Sequence, residues 1–246
     1  AVSAGACNIL SYMSKQPLRT RKIIENYVTD KRYFSLRNWL KEGSIFGFDF
    51  IFEDLPKKLL PFDFVTYYQY PGILQVGVTD LRTGKAAWFG KEAIGRSFTP
   101  VRASSSMPFL APVVHMGGRD LLDGALVAPI PYEKALQAGY DKLVVVLTRN
   151  AGYRKKKSVP KLLLKTVYHE YPKLWDIMQQ RPALYNEQLE AVEEMERQGK
   201  AVIIRPQIPL EIDKLDIKPD KLLALHDHGI GCGLEACEKI LRLAKE

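Results

Sequence analysis

Two apolar runs, I-L-Q-V-G-V-T-D at residues 73–80 and A-A-W-F-G at residues 86–90, flank a Thr83-Gly84 turn. That arrangement is a hairpin signature, so both runs are predicted strands and the middle of the chain is committed to a sheet. The pattern recurs in A-P-V-V-H-M-G-G-R-D-L-L-D-G-A, which reads as strand, Gly117-Gly118 turn and strand, with Asp123-Gly124 at the far end. K-L-V-V-V-L-T at residues 142–148 is Val-rich and lacks alternation, which predicts a strand buried on both faces of a parallel or mixed sheet. Helical spacing surrounds these strands. Ala6, Ile9, Leu10 and Met13 define a helix over residues 4–13, and others are expected over 19–28, 33–40 and 131–138, with one between 97 and 107 that stops before Pro108.

Past residue 150 helices dominate. Tyr185, Leu189, Val192 and Met195 mark one face of a charged helix ending near Gly199, and A-V-I-I-R at 201–205 is a short strand expected to return to the sheet. Leu234, Cys237, Leu241 and Ala244 form the stripe of a last helix, opened by the Gly229–Gly233 stretch. The predicted fold class is therefore α/β, with residues 1–150 as the body and residues 151–246 as a helical elaboration packed on it.

The 246 residues, 46% hydrophobic and 26% charged, suit an ordinary globular core. Three cysteines are too few for a disulfide framework, which predicts a reducing compartment and hence the cytoplasm. No apolar run approaches the roughly 20 residues of a membrane span, and the first residues lack the basic and apolar blocks of a signal peptide, so any membrane contact is expected to be peripheral. The formal charge of +8 is concentrated: residues 149–173 carry eight Lys or Arg against one Glu, a local +7. Arg154, Lys155, Lys156 and Lys157 lie at its centre, a pattern that attracts phosphates of anionic lipid and equally fits a solvated loop entering a helix. H-D-H-G-I-G-C-G-L-E-A-C (226–237) matches no common zinc spacing and reads as a loop entering a helix, with Cys237 packed as a small apolar residue. The Gly-rich pieces do not follow a strand with dinucleotide-binding spacing, so neither a metal nor a nucleotide cofactor is expected.

The chemistry-bearing candidates lie at two distant places. A-V-S-A-G puts Ser3 among small residues at a turn into a helix, the requirement of a nucleophile elbow, where the Ala4 N–H and the helix dipole favour an oxyanion. The bland alternative is an N-capping serine. Asp123-Gly124 puts a carboxylate at a strand end some 120 residues later.

With T-D-L-R-T-G-K (79–85), R-A-S-S-S-M-P (102–108) and L-D-G-A-L-V-A-P-I-P (122–131), the S-A-G-A after Val2 makes the chain resemble the bacterial patatin-like phospholipases. The likeness continues through Y-P-K-L, Y-N-E-Q-L-E and I-R-P into the last helix. It implies a three-layer α/β/α fold around a mixed, mostly parallel sheet, and a Ser-Asp dyad. Ser3 would attack an ester carbonyl of a lipid or other acyl ester, and Asp123 would take its proton directly, in a semi-apolar pocket that favours the protonated acid. Ala4 would serve the oxyanion, with Gly5 and Gly124 shaping the two turns. The implied activity is carboxylic ester hydrolysis of phospholipase A or lysophospholipase type, without cofactor or metal and without a nucleic-acid partner. The family carries a Gly-rich oxyanion loop upstream of the serine. The chain is expected to lack it, together with the strand feeding the elbow, and Ala1 stands where the family usually has the elbow's first glycine.

Three further expectations complete the reading. Ser104, Ser105 and Ser106 are placed at a helix end lining an acyl channel, and the aromatics of L-L-P-F-D-F (59–64) at a membrane interface. A Ser-His-Asp triad through His115, His169, His226 or His228 is the rival chemistry. The rival function is a catalytically silent patatin-fold protein that uses residues 149–173 to bind anionic lipid, nucleic acid or a protein.

Overall fold

The computed structural model describes residues 1–95, 97–156, 158–209 and 215–245. They form two compact units, one from Ala1–Pro129 with Val159–Gln179, the other from Ile130–Ser158 with Gln180–Glu246.

In the first unit, helix α1 (Ala4–Met13) follows the elbow serine, with Ala6, Leu10 and Met13 buried as their spacing requires. Helices α2 (Arg19–Asn26) and α3 (Leu36–Glu42) come next, then a π-helical segment (Phe50–Leu59) with Pro56 inside it, and α4 (Phe64–Gln69). Strands β1 (Gln75–Asp80) and β2 (Lys85–Gly90) form the expected hairpin. Helix α5 (Thr99–Ser104) ends before Pro108, and β3 (Val114–Met116) turns back into β4 (Arg119–Asp123). The chain continues through α6 (Tyr132–Gln137) and β5 (Leu143–Val146) of the second unit, then α7 (Lys161–Val167) of the first. Helix α8 (Pro172–Arg197) contributes residues to both units, and β6 (Ala201–Ile204) and α9 (Pro219–Lys245) belong to the second.

The sheet of the first unit has the order β2-β1-β4-β3, with every pairing antiparallel. A mostly parallel central sheet was expected, and here the structure differs. The two hairpins join their strands through residues 81–84 and 117–118, connections too short for the crossover that parallel neighbours need. Among the described residues the parallel pairing is β5 with β6, in a separate two-stranded sheet. The fold is thus mixed α/β.

Strand β1 is the axis of the first unit, with Val76, Val78 and Thr79 fully buried. Val76 packs with Leu10 and Met13 of α1, Phe52 of the π-helical segment, Phe62 and Phe98. Leu81 and Leu122 meet Leu164 of α7 and Leu174 of α8 in a second cluster. Phe62 and Phe64 face each other and Phe98 in this interior, so the expectation that 59–64 offers its aromatics to a membrane is corrected: ring packing takes both.

The second unit corrects four more expectations. Val144 and Val146 of β5 are exposed, because α9 packs on β6 through Val202, Ala236 and Leu243 and leaves that face of β5 uncovered. Strand β6 joins β5 rather than the four-stranded sheet. Gly229, Gly231 and Gly233 lie inside α9, which begins ten residues earlier at Pro219, although each interior glycine costs a helix about 1 kcal/mol relative to alanine. Cys237 is exposed on this helix, and Cys232 is the buried one. No described helix is long and apolar enough to cross a membrane.

The loop carrying α3 is closed at its base by an unusually close approach. A Cβ on Gly47 would lie 1.8 Å from the Arg32 carbonyl oxygen, and the Gly47 N–H donates to the Tyr33 carbonyl at 2.9 Å. Gly47→Ala is expected to lower stability by about 1–3 kcal/mol, the range for overpacking a rigid contact, as read from the denaturant midpoint.

Candidate active site

Ser3 has φ 52° and ψ −130°, a strained conformation for a residue with a Cβ, and its side chain makes no capping bond to α1. The capping-serine alternative therefore does not describe it. Its N–H donates to Ser104 Oγ at 2.8 Å, and Ser104 Oγ donates to the Gly77 carbonyl at 2.7 Å. Just before it, the Ala1 carbonyl accepts from the Gly77 N–H at 3.0 Å. The turn is thus stitched to β1 at Gly77. In α1 the Ala6 N–H donates back to the Ser3 carbonyl, so Ala4 and Gly5 hold the amides for which a helix start has no intrahelical acceptor.

Asp123 ends β4 opposite Val78 and is 3% exposed. Its N–H donates to the Ser106 carbonyl at 2.9 Å, and its own carbonyl accepts from Thr79 Oγ1 at 2.8 Å. Its carboxylate spans the site. Oδ1 accepts from the Ala125 N–H at 2.7 Å, and Oδ2 accepts from Ser3 Oγ at 2.8 Å. Two residues 120 apart in sequence are therefore joined by one hydrogen bond. Gly124 is required sterically, since a Cβ there would lie 2.1 Å from the Gly77 carbonyl oxygen. At Gly5 nothing comes closer than 4.0 Å to an added Cβ, so no such demand exists there.

The serine run has roles that sequence reasoning missed. Ser104 and Ser106 are fully buried, and the end of α5 holds both candidate residues, Ser3 through a hydroxyl and Asp123 through a carbonyl. Ser105 alone of the three faces a cavity, with its Oγ 3.4 Å from Cys7 Sγ. The signal was the run itself at a helix end. The partners were invisible because they lie on other strands.

Ser3 and Ala4 stand on the wall of a cavity of about 340 Å³, whose lining includes Leu10, Phe46, Phe48, Phe52, Phe62 and Phe98. Its walls are largely apolar, and its titratable groups are mostly held neutral. Burial pushes the Cys7 thiol above its usual range, against an opposing hydrogen bond from Ser105, and the Asp123 charge adds to the rise. Burial, with the Cys7 charge adding, pushes the Tyr33 phenol up to about 12. Arg19 is the cation of the wall. Its Nη1 donates to the Leu60 and Pro61 carbonyls at 2.6 and 3.1 Å, its guanidinium lies over the Phe62 ring, and burial brings it down to about 10, still protonated at neutral pH.

The histidines are elsewhere. Among the described residues Ser3 Oγ bonds to no histidine. His115 turns instead to Asp120, Nδ1 to Oδ1 at 2.7 Å, beside an Arg82 bond at 2.7 Å. Burial opposes the charge on Asp120, but those two partners outweigh it and hold the carboxyl below its usual range. His169 is exposed, and His226 and His228 lie on α9, where His228 Nε2 is 3.6 Å from Cys232 Sγ. No three His, Cys, Asp or Glu side chains converge among the described residues. Of the basic centre, Arg154 pairs with Glu193 at 3.1 Å, Lys155 stacks on Tyr185, Lys156 is exposed, and Lys157 lies outside the described residues.

A family model described as patatin-like phospholipase matches residues 1–136, more than half of the chain. The chain belongs to the patatin-like phospholipase family. A second model, for a domain of unknown function (DUF6363), matches residues 171–245 of this patatin-like chain. An uncharacterized protein of Escherichia coli (strain K12), YjjU, is 26% identical over 159 residues, which cover 59% of this chain and 42% of the relative. The match therefore spans less than half of that relative's length.

Two outcomes follow from the geometry. Ser104→Ala removes the acceptor of a part-buried N–H at a strained turn and is expected to cost about 1–3 kcal/mol in chemical unfolding. At pH 8, iodoacetamide should modify exposed Cys237 roughly tenfold or more faster than Cys7, whose thiolate is disfavoured by burial; mass mapping of the alkylated peptides checks this.

Proposed function

We propose that this chain is a serine acyl hydrolase acting on lipid esters, with Ser3 as nucleophile and Asp123 as general base. The observation that carries the reading is the 2.8 Å hydrogen bond from Ser3 Oγ to Asp123 Oδ2 at the edge of an apolar cavity, in a patatin-like chain. As Oγ attacks the ester carbonyl, its proton passes to Oδ2, and the carbonyl electrons move to an oxyanion that the Ala4 N–H and the α1 dipole stabilise. Collapse expels the alcohol, which takes the proton from Asp123 and leaves an acyl group on Ser3. Water then attacks that ester, giving its proton to Asp123. Release of the acid returns the proton to Ser3 Oγ.

The Ala125 N–H fixes Asp123 Oδ1 and leaves Oδ2 aimed at the hydroxyl, so the base needs no histidine to orient it. The cavity supplies the acyl site, with its Phe-rich wall contributing apolar burial and no anion to repel the attacking alkoxide.

A fluorophosphonate probe is expected to label the protein at Ser3, with labelling lost in Ser3→Ala. Asp123→Asn keeps the shape and removes the base, and should lower kcat/KM for a soluble short-chain ester by roughly a hundred- to ten-thousandfold. Full turnover in Asp123→Asn would discard the base assignment. An unlabelled, folded protein would favour a silent binding role for the fold.

A further inference from the structure

Helix α3 is patterned inside out. In L-R-N-W-L-K-E the buried residue is the polar Asn38, at 7% exposure, while Leu36, Trp39 and Leu40 are 75, 53 and 80% exposed. Asn38 Nδ2 donates to the Lys31 and Arg32 carbonyls at 3.2 and 3.1 Å, so a side-chain amide ties the helix down. A surface helix of a soluble protein does the reverse. The three apolar residues stand at i, i+3 and i+4, and therefore share one face.

Two further features say what that face meets. First, no acidic residue lies between Lys31 and Lys41, and the exposed Lys31, Arg37 and Lys41 flank the apolar group. Arg32 is already committed to Asp30 and the Phe50 ring. Second, the helix is the tip of a loop whose stems enclose the cavity. Phe34 bridges to Phe46, the Ser35 N–H donates to the Ile45 carbonyl at 3.0 Å, and Tyr33 and Phe46 belong to the cavity wall that includes Ser3.

We propose that α3 docks this chain on an anionic lipid surface, with Leu36, Trp39 and Leu40 entering the acyl boundary and Lys31, Arg37 and Lys41 meeting the phosphates. Leucine and tryptophan beside basic residues are the composition of an interfacial helix, and long cationic side chains keep their heads in the phosphate layer while their stems lie on apolar surface. A protein partner fits less well, since three side chains offer well under the roughly 800 Å² per partner of a stable protein interface, whereas insertion into lipid needs no shaped counterpart. The consequence, that the mouth of the cavity is brought to ester-bearing lipid, rests on the acyl-hydrolase reading. The docking itself does not.

The test uses the full chain carrying Ser3→Ala, so that lipid is not consumed, with cosedimentation on vesicles of phosphatidylcholine and phosphatidylglycerol in equal amounts. Leu36→Ser/Trp39→Ser/Leu40→Ser should weaken vesicle partitioning roughly tenfold or more. Arg37→Glu/Lys41→Glu should abolish the preference over pure phosphatidylcholine. Lys156→Glu, in the other basic region, should leave partitioning unchanged, and the apolar triple variant on the Ser3 background should turn over a soluble short-chain ester at the parent rate. Because every side chain substituted on that background is exposed, unchanged thermal unfolding relative to it checks that each variant is folded. The proposal is overturned by parent-like partitioning of the triple variant, by loss confined to Lys156→Glu, or by an α3-dependent self-association without vesicle binding. Vesicle binding that depends on α3 in a protein whose Ser3 resists fluorophosphonate would uphold the docking and remove the hydrolase reading instead.

Discussion

The Gly77 carbonyl is the point on which the site depends. It accepts the Ser104 hydroxyl at 2.7 Å, and Gly124 lies so close that any side chain there would overlap it. One atom of β1 thus carries the support of the serine and fixes the turn that follows the aspartate. Gly77 is itself confined, since a Cβ would lie 2.7 Å from the Trp88 ring and 3.0 Å from Val2. The approach of the elbow, β1 and the end of β4 is possible because Gly77 and Gly124 leave room for backbone to meet backbone. A larger residue at either would push apart the two hydrogen-bonded side chains.

That convergence explains how Ser3 holds a strained conformation. A non-glycine residue in so sparsely populated a region costs about 1–3 kcal/mol and persists where its surroundings over-determine it. Here three constraints act together: the Ser104 bond to its N–H, the pairing of Ala1 with β1, and the packing of Ala6 and Leu10 against Val76 one turn later. The strain turns the hydroxyl out of α1 toward Asp123, which a relaxed capping serine would not do.

The parts of this arrangement that sequence makes legible are the local ones. Ala6, Leu10 and Met13 repeat at helical spacing, so α1 is readable to the residue, and the Thr83-Gly84 and Gly117-Gly118 turns give away their strands. Ser3 and Asp123 are readable as candidates because their neighbours are small and their turns are sharp. Ser104 is not, because its worth lies in two partners at positions 3 and 77 that no local pattern links to it. The π-helical segment escapes for a different reason: Pro56 reads as a helix stop, and only a wider turn accommodates it. The burial of β5 escapes as well, although its parallel pairing does not. A Val-rich run at β5 carries the composition of a buried strand, but composition does not report whether a second layer covers its face, and at Val144 and Val146 none does.

The first unit divides its chemistry among elements of different stiffness. The two candidate residues sit at the elbow before α1 and at the end of β4, and hydrogen bonds from α5 and β1 hold them there. The cavity wall comes largely from α1, α2, the π-helical segment and the Tyr33 and Phe46 stems, where aromatic packing dominates. Sites built on hydrogen-bonded strands and helices hold their geometry more closely than sites on loops. Arg19 fastens the wall together, since its guanidinium ties α2 to the carbonyls that follow the π-helical segment and presents a cation rather than an anion to the cavity. An arrangement of this kind keeps the hydrogen-bonded pair of Ser3 and Asp123 on backbone-tied elements and leaves the adjoining space to apolar side chains.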